Sequence, residues 1–211
     1  MDLDQVWQAI DHERARLALL FDELTDEEWD TPSLCTGWRV REVAAHLTLA
    51  HTGALTVTYE LLRARGNFNR MIHDTALRQA RLPIEKYSEL LRAMIGSRKK
   101  APGITHLEPL IDVLVHAQDI TIPLGRPYPI PPEPAAAAAT RVWTMGWPFN
   151  ARRNLTGLKL TATDHPWTQG HGTPLEGPMG ALLLLLTGRG NPLNQLSGPG
   201  IPELLSRQTS R

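Results

Sequence analysis

The sequence predicts a mainly α protein, with a helical bundle over residues 1–150 and a small α+β appendage over 151–211. Three observations predict it. Apolar residues recur at helical spacing in most segments up to residue 147, with charges between them. A period-two stretch, Gly157-Leu158-Lys159-Leu160-Thr161-Ala162-Thr163, first appears late in the chain. The size of 211 residues, with 42% apolar and 21% charged residues, suits one ordinary domain with a small appendage.

Residues 2–24 read as an amphipathic helix through Val6, Ile10, Leu17, Leu20, Phe21 and Leu24. Thr25 stands three before Glu28, a capping box that starts a short helical turn. A loop at 31–37, punctuated by Pro32 and Gly37, leads to a helix over 40–65 that stops at Gly66-Asn67. Residues 68–81 are helical and mixed. Pro83 opens another helix, with Ile84, Tyr87, Leu90, Leu91 and Met94 on one side, and Pro102-Gly103 breaks the pattern. Thr105 with Glu108 caps the next helix, which carries Leu107, Leu110, Ile111, Leu114 and Val115 and ends at Pro123 and Gly125. The proline-rich 126–134 is an extended linker, followed by an alanine-rich helix over 135–147. Beyond the strand at 157–163, the turn-rich 170–177 has room for a second strand. Residues 178–188 form an apolar helix ended by Gly188, and a short helix is expected near 202–207.

Lys and Arg number 22, as do Asp and Glu, so net charge gives no pull toward nucleic acid or an anionic membrane. Cys35 is the only cysteine, which rules out an intramolecular disulfide. The first ten residues lack the basic and apolar regions of a signal peptide, and the apolar run 181–186 is too short to span a bilayer. The expected location is the cytoplasm, with neither nucleic acid nor membrane as partner.

Of eight histidines, His116 stands out. Asp112 and His116 are four apart on one helix face, roughly 5–6 Å between Cβ atoms, in an otherwise apolar helix. A buried carboxylate there needs a partner or a metal ion. His46, among small and apolar residues of the second helix, is a third candidate ligand, because bundle cores build metal sites from facing helices. His51, five residues on, is turned about 140° away on a continuous helix. Three ligands leave a fourth zinc position open, the mark of a catalytic site, where an entering thiol would lose its proton. The plainer reading, a hydrogen-bonded Asp–His pair and a core histidine, stands beside this one. Asp119, one turn past His116, is a candidate acceptor that fixes the tautomer of a ligand histidine, or a helix-end hydrogen bond. Cys35, Trp38 and Trp7 are read as structural. His165 and His171 are read as surface residues.

At these residues the chain resembles the mycothiol-dependent maleylpyruvate isomerase-like proteins, a branch of the DinB-like helical-bundle metalloproteins. The resemblance is carried by three blocks: Ser33-Leu34-Cys35-Thr36-Gly37-Trp38-Arg39-Val40-Arg41-Glu42-Val43-Ala44-Ala45-His46-Leu47; Leu114-Val115-His116-Ala117-Gln118-Asp119-Ile120 running to Pro123-Leu124-Gly125; and Gly157-Leu158-Lys159-Leu160 with Thr163-Asp164, Trp167, Leu175-Glu176-Gly177-Pro178 and Thr187-Gly188-Arg189. It implies a DinB-like four-helix bundle holding a divalent metal through His46, Asp112 and His116. Two positions depart from the family. Asp112 stands where Glu is common, one methylene shorter, and Arg39 stands where Ser or Thr would cap the second helix with Glu42.

The resemblance also implies the chemistry. A low-molecular-weight thiol of the mycothiol type is activated at the metal and transferred to, or used to isomerise, a small electrophile. In the isomerase branch an arginine of the C-terminal domain holds a substrate carboxylate, and Arg189 is the candidate for that catalytic role, with Asp119 as the second. Zinc is the preferred ion for a His/carboxylate/His set, although nickel, iron or manganese would fit it. Three other readings remain open. One is a metal- or small-ligand-binding bundle without turnover, and another is a metal-free scaffold. The third is a metal hydrolase with Asp119 as general base.

Overall fold

The computed structural model describes residues 1–209. The chain divides into two compact units, Asp2–Tyr128 and a second from Pro129 onward with Met1. The division falls at Tyr128/Pro129, whereas the sequence predicted residue 150. The reason lies in the alanine-rich helix, which packs against the apolar C-terminal helix within the second unit.

In the N-terminal unit, α1 (Leu3–Glu23) starts at Asp2, whose carboxylate accepts from Gln5 N while Gln5 returns a bond to Asp2 N. Its apolar stripe, with Ile10 and Leu17 fully buried, packs on α6 (Glu85–Ala93) and α7 (Leu107–Thr121). The turn α2 (Asp26–Trp29) has the expected Thr25–Glu28 capping box. It delivers Trp29 into an aromatic cluster with Phe21 and Tyr87.

The long helix expected over 40–65 is broken in two, α3 (Val40–Leu47) and α4 (Ala54–Arg63). The hydroxyls of Thr48 and Thr52 bond back to the carbonyls of Ala45 and Leu49 at 2.7 and 2.6 Å, and Gly53 restarts the chain as the N-cap of α4. Such local hydroxyl bonds compete with the helical ladder. The start of α3 answers its missing Ser or Thr. Glu42 Oε2 accepts from Arg39 N at 2.8 Å, and the Arg39 guanidinium donates to both Glu42 oxygens. Helix α5 (Phe68–Gln79) packs on α3 and α4, and α3 packs on α7.

The second unit holds α8 (Pro132–Thr144), α9 (Ala151–Asn154), strands β1 (Gly157–Ala162), β2 (Thr168–Gly170) and β3 (Gly172–Gly177), α10 (Met179–Leu186) and α11 (Ile201–Thr209). The sheet order is β2-β1-β3, with β2 antiparallel and β3 parallel to β1. The expected single extra strand is therefore two, set on opposite edges of β1, with one residue between them to carry the chain around its start. Glycine makes this turn feasible. A Cβ at Gly170 would lie 2.3 Å from Leu158 O, and one at Gly172 2.0 Å from Gly157 O. Helix α10 buries its leucines against α8 and β1. Among the described residues, no helix is long and apolar enough to cross a membrane.

Candidate metal centre

Helices α3 and α7 bring His46, Asp112 and His116 together. Both helices are anchored by buried apolar residues on each side of the polar ones: Val43, Ala44 and Leu47 around His46, and Leu110, Ile111 and Val115 around Asp112 and His116. Asp112 Oδ1 lies 3.3 Å from His46 Nε2 and 3.4 Å from His116 Nε2. The shorter Asp side chain therefore reaches both imidazoles. The two rings meet edge-on, centroids 5.0 Å apart, and one ligand atom from each residue lies within 4.8 Å of the others.

These separations exceed a good charge-assisted hydrogen bond, roughly 2.7–2.9 Å. They match the edge of a tetrahedron around an ion bonded at about 2.0–2.1 Å, which is roughly 3.3–3.4 Å. The donor set of two imidazoles and a carboxylate suits a borderline divalent ion. The residues present fit such an ion.

The other nitrogen of His116 faces inward. Its Nδ1 is 2.8 Å from Asp119 Oδ2, and Asp119 is fully buried. Cys35 Sγ donates to the same Asp119 oxygen at 3.1 Å and stands 3.7 Å from His116 Nδ1. Asp119 thus sits behind His116, in position to keep Nδ1 protonated and turn Nε2 toward His46 and Asp112. The 33–38 loop is tied to this place by Leu34 N donating to Asp119 O. Trp38, buried by the same loop, packs its ring 5.4 Å from that of His46 and donates its indole N–H to His73 Nδ1 at 2.9 Å. Cys35 and Trp38 were read from the sequence as structural. Their contacts with Asp119 and His46 depend on a loop-to-helix approach that leaves no periodic signal.

Charge in the cluster is coupled. Burial opposes ionisation of Asp112, but the charge of His46 and the hydrogen bonds from both imidazoles outweigh it, holding the carboxyl well below its ordinary range. Its side chain keeps 28% of its surface open, so desolvation is partial. Burial likewise opposes protonation of His116. Hydrogen bonds to Asp112, Asp119 and Cys35 outweigh that, and its pKa stands well above the usual histidine value.

Two of the three, His46 and Asp112, line a cavity of about 480 Å³ within the N-terminal unit, together with side chains of α4 and α5. His51 lies elsewhere, its Nε2 3.4 Å from Arg14 Nη2. Helix angle is not what separates it from the triad, because residues 48–53 are not helical. Arg189 lies in the second unit, just past α10, half-buried, with Nη1 donating to Thr187 O at 2.9 Å. It lines a separate cavity of about 450 Å³ with Arg207 and Leu185.

With this geometry, residues 10–106 match the family model described as mycothiol maleylpyruvate isomerase N-terminal domain. Over these residues, a little under half of the chain, the protein is similar to that domain family. Its fold is that of the crystal structure of the mycothiol-dependent maleylpyruvate isomerase, with a TM-score of 0.64 over 94% of this chain and 93% of that one, at 14% identity. A histidine-to-alanine mutant of that isomerase superposes with a TM-score of 0.63 over the same shares. No curated protein matches the chain in sequence. The matched residues contain α3 and His46, whereas Asp112 and His116 lie just beyond them on α7.

Proposed function

We propose that this protein is a divalent-metal-dependent enzyme, zinc being the preferred ion, that activates a low-molecular-weight thiol of the mycothiol type for transfer to, or isomerisation of, a small electrophile. The observation that carries the reading is the convergence of His46 Nε2, Asp112 Oδ1 and His116 Nε2 at tetrahedral-edge spacing, with His46 and Asp112 on the wall of a cavity. The match of residues 10–106 to the isomerase N-terminal domain model and the likeness in fold to the mycothiol-dependent isomerase support the thiol as cosubstrate.

A divalent ion in this set would supply Lewis acidity that stabilises a thiolate at neutral pH. The chain's own residues do the rest. His46 and His116 present Nε2 lone pairs, and Asp112 offsets cationic charge. Asp119 holds His116 in the required tautomer, and Cys35 and the 33–38 loop hold Asp119. A substrate seated against the apolar cavity wall would displace water from the reacting atoms, which would strengthen electrostatic effects there. A cytoplasmic setting would keep such a thiol reduced. For Arg189, a raised KM in Arg189→Ala with unchanged metal content would support the substrate-binding role that the resemblance implies.

The test is metal analysis of the purified protein beside a His46→Ala, His116→Ala variant, followed by thiol-consumption assays. One equivalent of metal in the parent, almost none in the variant and metal-dependent thiol consumption are expected. Failure of the parent to retain zinc after incubation and dialysis would overturn the reading. Retained zinc without turnover on any thiol–electrophile pair would favour a binding protein instead.

A further inference from the structure

The cavity beside the triad has a chemical character of its own. Leu49, Val57, Phe68, Met71, Ile72 and Ile104 give its wall large apolar side chains. Among the described lining residues, Arg78 is the only Lys or Arg. Its guanidinium is engaged by Glu60, which also lines the cavity, from the facing helix α4. Glu108, a third carboxylate beside Glu60 and Asp112, adds negative charge to the wall. A substrate carboxylate placed here would shed its water against apolar groups. Outside the triad, whose own charges offset one another, the one cation among the described lining residues is already engaged by Glu60, and Glu108 adds a further acidic group. Burying an unpaired charge in such a place is strongly unfavourable. A neutral body meets no such penalty, and 480 Å³ is ample for a ligand the size of an aryl ketone.

We infer that this cavity takes a neutral, largely apolar molecule with a carbonyl or activated alkene at its reactive end, and that Glu60, by neutralising Arg78, sets the preference against carboxylates. The dicarboxylate class to which maleylpyruvate belongs is therefore disfavoured for this chain. As a statement about substrate, the inference rests on the proposed thiol-activating centre; as a statement about what the cavity binds, it does not. Glu60 acts as a specificity residue through charge and has no part in bond making.

The experiment uses the full-length chain stripped of metal, so that no carboxylate can be held by an ion. The neutral fluorophore N-phenyl-1-naphthylamine reports occupancy. It is competed by 4-phenylbutan-2-one and by 3-phenylpropanoate, an unreactive pair of nearly equal shape that differs in charge. In the parent, the ketone is expected to displace the probe at a concentration at least about tenfold below the carboxylate. In Glu60→Gln, which frees Arg78, the carboxylate is expected to gain about tenfold while the ketone barely changes. Val57→Glu, on a helix with no buried residue, is expected to weaken the probe and the ketone by about tenfold without unfolding the chain. Equal displacement by the two competitors in the parent would overturn the inference. So would absence of probe binding, or a Glu60→Gln variant with the parent's preference.

Zinc content is measured on a reloaded portion of the same samples. Probe binding with the expected preference but no zinc uptake would keep the cavity assignment and remove the thiol-activating reading. Zinc uptake without probe binding would do the reverse.

Discussion

Helices α3 and α7 and helix α4 line the same cavity yet are packed in opposite ways. Helix α7 buries most of its residues, including Leu110, Leu114 and Ile120, and α3 buries Val40, Val43, Ala44, Ala45 and Leu47. Helix α4 buries none. Leu55, Tyr59 and Leu62, at i, i+4 and i+7, are 90%, 62% and 74% exposed, and within its unit α4 packs chiefly on α5. The candidate ligands stand on the tightly held helices, where a half-ångström error would spoil coordination. Glu60 and Val57, which bear on what the cavity admits, stand on the loosely held one. Precision and access are therefore built on elements of different local stability.

The largest effect that sharpens this contrast is on stability. Leu114→Ala is expected to cost about 2–5 kcal/mol by urea unfolding. Leu62→Ala should stay within about 0.5 kcal/mol, and amide exchange along α4 should be faster than along α7. Equal losses for the two leucines would break the comparison.

Next in size is the support behind the ligands. Asp119→Asn is expected to lower zinc affinity by about 10–100-fold with helicity retained. An unchanged affinity would show that His116 needs no partner at Nδ1. The raised pKa of His116 gives a related expectation. Its proton competes with the metal, so zinc uptake at pH 7 should release protons, and affinity should fall as pH is lowered. Calorimetry in buffers of different ionisation enthalpy measures the release.

The smallest effect concerns the start of α3. Burial opposes the charge of Glu42, but its bonds to Arg39 outweigh this and hold it below the ordinary carboxylate range. A carboxylate with a lowered folded pKa stabilises fully above its unfolded value of 4.5, and that contribution fades as pH falls through the folded value. Glu42→Gln should therefore cost about 1 kcal/mol at pH 7, with the gap to the parent closing below pH 4. A gap independent of pH would assign the loss to packing alone.

The sequence by itself determined the helical class, the late switch to period two, and the candidate ligands. Asp112 and His116 stood out because they interrupt an apolar helix at a spacing that forces them onto one face, which is a local property of the chain. The same local logic located the Thr25–Glu28 box and the apolar helix α10. It failed where competing interactions were tertiary or equally local. Hydroxyl bonds from Thr48 and Thr52 broke a helix whose apolar pattern runs on, and the partner of α8 was a helix nearly forty residues away in sequence. Only the tertiary structure decided that a one-methylene-shorter carboxylate reaches both imidazoles, that Cys35 and Trp38 brace the centre, and that Glu60 cancels the one cavity arginine. Those facts depend on how separate segments approach in space, and helical period encodes which face a residue takes without encoding what that face will meet.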